Sequence, residues 1–241
     1  MIYEQLRNYF FELIRERSLQ EEAIRVRTRP LTTEEAIGTP EDGDYPLLKG
    51  KERLLEAVFR GARGQAYADV FGDYDGSPRE IVEMKLTDNF RRAVFVSALN
   101  AVMRYFDLVR GTVHCRDGEP GECGLALGEY ISGEFGLPER AALVGLQPRL
   151  LESLASLCRV RAVDLDPENI GRTHSGVSIE PPEDVGELIE WADLLLVTGT
   201  TVVNGTIELF LGLDKPVVFY GVTIAGPAKI LNLHRYCARG H

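Results

Sequence analysis

The stretch DLLLVTGTTVVNGT, residues 193–206, decides the fold class, because one apolar run ends at a glycine turn and a second apolar run follows it. We predict a buried strand over 193–198 and a helix over 202–211, which Gly212 ends. Gly199 permits the tight turn between the two elements. A strand, a turn and a helix in direct succession are typical of α/β proteins.

The same stretch predicts a ligand site. The start of a helix leaves several backbone N–H groups unpaired and carries the positive end of the helix dipole. With threonine hydroxyls beside them, these groups favour an anion or a carbonyl oxygen. We therefore predict ligand contacts from Thr198, Gly199, Thr200, Thr201 and Asn204. The alternative is structural, in that Thr201 only caps the helix and Gly205 only permits close packing.

Outward from this stretch, residues 111–241 alternate short apolar strands with helices, the pattern of a parallel sheet with crossover helices. Further strands are predicted at 141–145, 160–164 and 216–220. A helix is predicted over 148–158, because Pro148 suits a first helical turn. We predict a Rossmann-like α/β domain with a mostly parallel sheet over residues 111–241.

Residues 1–110 carry a different pattern, with helix and strand signals mixed. Ile2, Leu6 and Phe10 lie on one face of an amphipathic helix that continues to about residue 17. Strands are predicted at 24–28, 65–71 and 80–86, with a turn-forming loop between the last two. Asp88 then caps another helix. We predict an α+β domain over residues 1–110.

Two more loops follow predicted strands at the sheet edge where ligands collect. The first contains Gly145 and Gln147. The second contains Asp164, Asp166 and Asn169, and Asp164 occupies a position at which such domains often hold a ribose hydroxyl or an amine. We predict ligand contacts from both loops. For the carboxylates, capping of the following turn is the alternative.

The loop after the fourth strand, residues 221–227, carries Thr223 to the same edge and is predicted to close the pocket. The loop at Gly145 lacks the G-x-G-x-x-G spacing of a dinucleotide site, and the chain contains no P-loop sequence. A conventional NAD or FAD site is therefore not expected. The expected ligand is smaller or differently shaped.

Cysteines and histidines form two groups of soft side chains, one over 114–123 and one over 234–241. His234, Cys237 and His241 would align if the last helix continued that far. Imidazole and thiolate suit zinc and other transition metals, but neither group has the C-x-x-C pairing of a closed zinc site. Packed thiols and surface histidines are the alternative. The candidate metal ligands are His114, Cys115, Cys123 and Cys237.

Composition limits the partners. The chain has 27 basic and 37 acidic side chains and a formal net charge of -10, which argues against nucleic-acid binding. No apolar run is long enough for a membrane span and no leader pattern is visible, so we expect a cytoplasmic protein. Four scattered cysteines are expected to be thiols. A homo-oligomer is left open.

Seven stretches of the sequence match the pattern of a known family, and 197–206 is the most specific of them; the stretches are residues 64–69, 99–101, 112–115, 143–148, 164–171, 197–206 and 219–223. On these residues the chain resembles the heavy-metal chelation domain family. The resemblance implies an enolase-N-terminal-like domain followed by a Rossmann-like domain. It also implies a ligand site in the cleft between them and a role in handling metals or metal-containing small molecules. Asn100 is a further candidate ligand contact.

Two functions follow as hypotheses. The first is a binding protein that holds a small anionic ligand or a metal chelate in the interdomain cleft, with a transition metal or metal chelate as the candidate cofactor. The alternative is an enzyme that uses a nucleoside-containing cofactor such as S-adenosylmethionine, held by Gly145 and Asp164. No sequence context identifies a nucleophile, so the reaction class and catalytic residues stay open.

Overall fold

The computed structural model describes residues 2–27, 53–70 and 72–241. Within them, an antiparallel sheet is built from residues 24–76 and a mostly parallel sheet from residues 140–236. The predicted fold class, α+β followed by α/β with a mostly parallel sheet, is confirmed. The predicted strand ends at Thr28 and Phe71 lie outside the described residues. Among the helices that the structure describes, none is both long and apolar enough to cross a membrane.

Over residues 2–27, 53–70 and 72–110 the first sheet has four strands, namely β1 (Ile24–Arg27), β2 (Arg53–Phe59), β3 (Ala62–Ala68) and β4 (Tyr74–Gly76). Their order is β3-β2-β1-β4, and every pairing is antiparallel. Arg60 and Gly61 link β2 to β3 and both have positive φ, 47° and 85°. A two-residue turn of this kind matches the right-handed twist of the strands that it joins.

Within the described residues of this part, three helices accompany the sheet, α1 (Ile2–Glu16), α2 (Pro78–Glu83) and α3 (Asn89–Tyr105). The helices predicted at the N-terminus and after Asp88 are confirmed. The strand predicted at 80–86 is wrong, because α2 occupies this region. The Ser77 hydroxyl accepts from the Glu80 N–H at 3.3 Å, and the Glu80 carboxylate accepts from the Ser77 N–H at 2.7 Å. This capping box outweighs the apolar alternation that suggested a strand.

Helix α3 is the centre of the molecule, because every residue from 93 to 103 is buried. The antiparallel sheet packs on one side of α3, while helices that follow the parallel strands pack on another. Gly64 permits the closest approach, since a Cβ atom at this position would lie 2.2 Å from the Ala101 nitrogen. A helix enclosed in this way shows no polar face in its sequence pattern.

Seven strands make the second sheet, namely β5 (Arg140–Val144), β6 (Arg159–Val163), β7 (Thr173–His174), β8 (Val177–Glu180), β9 (Leu194–Thr198), β10 (Val217–Tyr220) and β11 (His234–Tyr236). Their order is β11-β10-β9-β5-β6-β8-β7, and only the β7–β8 pairing is antiparallel. The six parallel strands have the order of a doubly wound sheet. Chain order reverses between β5 and β9, at the sheet's centre.

Five helices belong to this part, α4 (Glu119–Glu134), α5 (Pro148–Leu157), α6 (Val185–Trp191), α7 (Thr201–Asn204) and α8 (Ala225–Leu231). The predicted helix over 202–211 is wrong in length. α7 is one turn long, and Gly205 ends it with a left-handed conformation, φ 79°. The Val203 carbonyl, which a longer helix would use internally, instead accepts a hydrogen bond from Arg92. A short 3₁₀ helix, Ile207–Phe210, follows.

One hydrophobic core crosses both parts of the chain. It joins Phe10 and Leu99 to Val197 and Ile224, while a second core lies on the other face of the parallel sheet. The Tyr3 hydroxyl also donates to the Val202 carbonyl at 2.7 Å. The two parts are therefore expected to unfold together. The domain boundary between residues 110 and 111 stays a prediction.

Candidate functional site

The carboxyl ends of β5 and β9 lie side by side, and their loops touch. Gly145 follows β5 with φ +84°, and a Cβ atom there would lie 2.7 Å from Thr198 Cγ2 and 3.0 Å from the Tyr220 hydroxyl. That hydroxyl donates to the Gly145 carbonyl at 2.7 Å. The predicted neighbours Gly145 and Thr198 are thus brought together. Tyr220, which was not among the predicted site residues, holds the two loops in place.

The loop that follows β9, which we call the threonine loop, is a turn in which many polar groups hydrogen-bond to one another. Thr198 Oγ1 and Thr200 Oγ1 share a hydrogen bond of 2.6 Å, and the Thr201 hydroxyl donates to the Thr198 carbonyl at 2.8 Å. Thr200 and Thr201 are buried, and Asn204 is half-buried at the end of α7. Thr201 therefore bonds back to β9 instead of capping a helix. Ligand contacts from this loop stay a prediction.

Asp164 ties the two neighbouring loops to each other. Its carboxylate accepts hydrogen bonds from the Leu146 N–H at 2.5 Å and the Asp166 N–H at 2.7 Å. The Asn169 side chain donates to the same carboxylate at 3.2 Å. All three hydrogen-bond donors belong to the protein itself. A hydroxyl or amine of a ligand would therefore share a carboxylate that already accepts hydrogen bonds.

Two other residues that were predicted to contact a ligand, Asp166 and Gln147, form hydrogen bonds within the protein. The Asp166 carboxylate accepts from the Glu168 N–H at 3.0 Å, which is the turn-capping alternative. Gln147 caps α5, because its side-chain oxygen accepts from the Leu150 N–H at 2.6 Å. Both residues lie at the predicted edge, and their ligand roles stay predictions.

Asn100 lies where the resemblance implies a cleft, but the two parts of the chain meet directly there. Its side-chain amide donates to the carbonyls of Gln65, Val222 and Thr223 at 3.0, 3.2 and 3.1 Å, and its oxygen accepts from Gly226 at 2.7 Å. Its exposed fraction is 0%. Asn100 thus joins β3 to the loop after β10, and these hydrogen bonds stabilise the fold.

Thr223 belongs to the same contact. Its hydroxyl accepts from the Tyr67 N–H at 3.1 Å, and the residue is buried. Tyr67 was missed as a site residue, although it falls within the stretch 64–69 that carries the family resemblance. The edge of β3 therefore closes over the loop after β10.

A second candidate site is formed by three cysteines, which we call the thiol cluster: Cys115, Cys123 and Cys237. In the sequence these cysteines fall into two separate groups, whereas in the structure all three lie close together. Cys115 donates its S–H to Cys123, and the Cys123 sulfur also accepts from the backbone N–H groups of Ala238 and Arg239. Cys237 lies close enough to interact electrostatically with both other thiols.

These contacts shift the pKa values of the three thiols in different directions. The hydrogen bond from Cys115 and the two backbone N–H groups lower the pKa of Cys123 to about 7, against the opposing effect of burial. The same hydrogen bond and burial raise the pKa of Cys115. Burial raises the pKa of Cys237. Near neutral pH Cys123 is therefore partly ionised, whereas Cys115 and Cys237 stay protonated.

The last residues of the chain position Cys237. Val113 and His241 exchange two backbone hydrogen bonds of 2.9 Å, which lays this segment alongside Cys115. The Tyr236 hydroxyl donates to the Cys123 carbonyl. The predicted helical alignment of His234, Cys237 and His241 is wrong, because residues 234–236 form β11 and pair with β10.

His114 lies between the thiol cluster and the loops of the sheet edge. Its ring packs edge-on against Tyr67, with 5.7 Å between ring centroids. Its Nδ1 lies 2.6 Å from the Cys115 carbonyl, which can only accept, so Nδ1 carries the proton. Burial lowers the pKa of His114. The neutral ring therefore keeps a lone pair on Nε2, the form in which histidine binds metals.

The structure does not contain a preformed three-ligand metal site in the residues that it describes. Over 2–27, 53–70 and 72–241, no three His, Cys, Asp or Glu side chains are placed to hold one ion. All four cysteines are free thiols. The thiol cluster can offer two sulfurs in direct contact, which suits soft metals that accept few ligands.

The pKa of Cys123 makes its alkylation rate a direct test of the cluster. The thiolate is the reactive form, so the rate should rise with pH and reach half its maximum near pH 7. Cys158 is the internal comparison, since burial raises the pKa of its half-buried thiol. Iodoacetamide labelling followed by peptide mass spectrometry measures both rates. A Cys123 midpoint at or above pH 9 would contradict the geometry.

Comparisons with known proteins bear on the edge of the parallel sheet. Residues 137–230 match the family DUF364, described as "Putative heavy-metal chelation". This segment includes the loops after β5, β6, β9 and β10, and the thiol cluster lies outside it. The resemblance inferred from the sequence is confirmed to this extent. No curated protein matches the chain.

A solved structure extends the likeness in fold beyond the matched segment. It is the crystal structure of a protein of unknown function from the DUF364 family of Pyrococcus horikoshii, with a TM-score of 0.57 and 15% sequence identity. The match covers 92% of this chain and 80% of that chain. At this identity the likeness concerns the fold alone.

Proposed function

We propose that this protein binds a soft metal ion through the thiol cluster, with Cys123 and Cys115 as its first ligands. The observation that carries the proposal is the meeting of three cysteines, one of which, Cys123, has its pKa lowered to about 7 by its neighbours. Thiolates are the cysteine form that binds metals, and they select ions such as Cu(I) and Zn²⁺. The family description supports a role in metal handling.

His114 extends the proposal toward a metal chelate as the ligand. Its backbone N–H donates to the Gln65 side chain at 2.7 Å, and its ring contacts Tyr67, whose N–H bonds to Thr223. A short series of contacts thus leads from the thiol cluster to the sheet edge. In this proposal the edge loops hold the anionic groups of a chelate, and His114 Nε2 is the third candidate metal ligand.

Metal titration tests the proposal. Metal-free protein, purified without a metal-affinity tag, is titrated anaerobically with Cu(I) against a colorimetric competitor, and separately with Zn²⁺. We expect one ion per chain. Cys123→Ser should weaken binding by more than the roughly 10- to 100-fold that the loss of an outer partner costs. Affinity should also fall as pH drops below 7, because protons compete for the thiolate.

Cys158→Ser is the matched control, since Cys158 ends α5 and lies outside the thiol cluster. It should bind metal like the unmodified protein. Stoichiometric binding that survives in both Cys123→Ser and Cys115→Ser would refute the thiol cluster as the metal site. Binding of neither ion at micromolar concentration would refute the function itself.

A second candidate function is the binding of a nucleoside-containing or other small anionic ligand at the sheet edge, by an enzyme or a binding protein. The observation that favours it is the strand order, because doubly wound sheets bind ligands where the chain order reverses, here between β5 and β9. Calorimetry with S-adenosylmethionine, adenosine and inorganic phosphate tests it. Binding that Asp164→Ala leaves unchanged would remove Asp164 from the site.

The state of the cysteines also supports a location. All four are free, and a protein that depends on a thiolate needs a reducing compartment. We therefore place the protein in the cytoplasm as part of this proposal. Fractionation of cells that express the tagged chain would test the assignment.

A further inference from the structure

We propose that Gln65 is a positioning residue for the metal site, and that it acts by fixing the backbone of His114. The inference rests on the proposed function and adds to it a residue that would touch no metal itself. Gln65 is 2% exposed, and its side-chain amide lies between His114 and Glu56. A buried amide that forms a hydrogen bond on each side holds both neighbours in one arrangement.

The segment 112–114 runs alongside β3 and is fixed to it through Gln65. The Gln65 N–H donates to the Thr112 carbonyl at 2.9 Å, and the Thr112 hydroxyl donates to the Arg63 carbonyl at 2.7 Å. Two residues further on, the His114 N–H donates to Oε1 of the Gln65 side chain at 2.7 Å. The segment therefore follows β3 in the same direction, as in a parallel pair of strands.

The bond between His114 and Gln65 departs from a regular parallel ladder. In such a ladder the His114 N–H would donate to the backbone carbonyl of Gln65, because the backbone groups of parallel strands pair at even spacing. That carbonyl accepts instead from the Asn100 side chain at 3.0 Å. The Gln65 side chain supplies the acceptor that its backbone has given to Asn100. The position of His114 thus depends on one side chain of β3.

Glu56 fixes the orientation of the Gln65 amide. Its carboxylate accepts from Gln65 Nε2 at 2.7 Å and from Arg63 Nε at 2.8 Å. If the amide were turned over, its oxygen would face this carboxylate and its NH₂ group would face the His114 N–H. An amide with one donor and one acceptor at its end fits both neighbours, whereas a carboxylate at position 65 would repel Glu56.

A fixed backbone at residue 114 determines where the imidazole ring points. The ring Nδ1 lies 2.6 Å from the Cys115 carbonyl, and the ring packs edge-on against Tyr67, so Nε2 is the nitrogen that can bind a metal. Hydrogen bonds that orient a metal ligand typically change the affinity roughly 10- to 100-fold when they are removed. We therefore expect Gln65 to affect metal binding through His114.

Zinc binding to the full-length, reduced protein tests this role, because imidazole is a good ligand for Zn²⁺. Gln65→Met keeps the size of the side chain and removes both of its hydrogen bonds, so it should weaken Zn²⁺ binding by about tenfold or more. In a His114→Ala background the same change should alter the affinity by less than about threefold, since no ring is left to position. Gln20→Met, in the turn after α1, is the matched control and should bind Zn²⁺ like the unmodified protein.

An exchange of the two hydrogen-bonded partners separates positioning from packing. Gln65→Glu alone should weaken Zn²⁺ binding as Gln65→Met does, because two carboxylates then face each other. The addition of Glu56→Gln restores one amide and one carboxylate. The double variant should return to within about threefold of the unmodified protein's affinity, because the effects of two residues in contact are not additive.

Hydrogen exchange at the His114 amide, followed by NMR on the metal-free protein, measures the bond without any metal. Exchange should be at least about tenfold faster in Gln65→Met and in Gln65→Glu, and slow again in the double variant. Circular dichroism confirms that each variant is folded. If Gln65→Met does not fold, the comparison of Gln65→Glu with the double variant decides the question.

The outcomes distinguish this role from the proposed function. Unchanged exchange at His114, or unchanged Zn²⁺ affinity in a folded Gln65→Met protein, would overturn the role of Gln65 and leave the proposed function standing. Equal losses of affinity with and without the His114 ring would overturn it as well, because they would show a purely structural effect. If the unmodified protein binds no Zn²⁺, this role is refuted, while the Cu(I) titration still tests the thiol cluster.

Discussion

Replacing Asn100 with alanine is expected to lower the free energy of unfolding by about 3 to 5 kcal/mol, which is a large fraction of the stability of an ordinary protein. The side chain is 0% exposed and bonds to four backbone groups. Alanine would leave three carbonyls and one N–H group without this partner in a dry interior. Each unsatisfied buried group costs roughly 1 to 3 kcal/mol, and partial relaxation reduces the sum.

Urea unfolding, followed by circular dichroism and by tryptophan fluorescence, measures this effect. Asn204→Ala is the matched control, because Asn204 is half-buried at the end of a one-turn helix. It should change stability by less than about 1 kcal/mol. Trp191 ends α6, far along the chain from Asn100, so its fluorescence reports on the α/β part. If Asn100→Ala unfolds near the unmodified protein's midpoint, Asn100 does not join the two parts as described.

The sequence predicted the central strands well, because their signal is local. β5, β6, β9 and β10 are short apolar runs between turn-forming residues, and each predicted strand agrees within one residue at either end. Strands β7, β8 and β11 were not predicted. They contain two to four residues each, which is too short for a periodic pattern to show.

Helix α4 was missed for a different reason. It contains several glycines, which lower helix propensity. Packing on α5 compensates, because a Cβ atom at Gly124 would lie 2.7 Å from the Arg149 carbonyl oxygen, and one at Gly128 would lie 3.2 Å from Leu157. These glycines let the two helices approach closely. A sequence pattern shows their cost to the isolated helix but not the contact that offsets it.

The candidate sites, too, could be predicted from the sequence only in part. The sheet-edge loops could be placed from strand order, because the carboxyl ends of parallel strands share one edge. The hydrogen-bond partners within these loops could not be predicted, since the bond from the Leu146 N–H to Asp164 depends on the register of β5 with β6. The thiol cluster depends on the chain returning past Val113 near its last residue. No local pattern links Cys237 to Cys123.

Gly199→Ala is expected to lower the free energy of unfolding by about 3 kcal/mol, through overpacking of the core. Gly199 lies in the predicted ligand loop, and its N–H donates to the Tyr220 carbonyl at 2.9 Å. A Cβ atom there would lie 2.8 Å from Ile224 Cβ, 2.9 Å from the Ile224 nitrogen and 3.0 Å from the Tyr220 oxygen. Two of these neighbours are backbone atoms, which cannot move aside as a side chain can.

This effect changes how the ligand loop must be tested. Ile224 belongs to the core that both parts of the chain share, so a larger residue at Gly199, such as valine, should destabilise the whole molecule and not the loop alone. Gly186→Ala in α6 is the matched control, because nothing lies within 4 Å of its added Cβ atom. It should be neutral or stabilising by about 0.5 to 1 kcal/mol. Equal unfolding midpoints for the two variants would show that the loop after β9 has room for a side chain. A ligand role would then be the better reason for a glycine at 199.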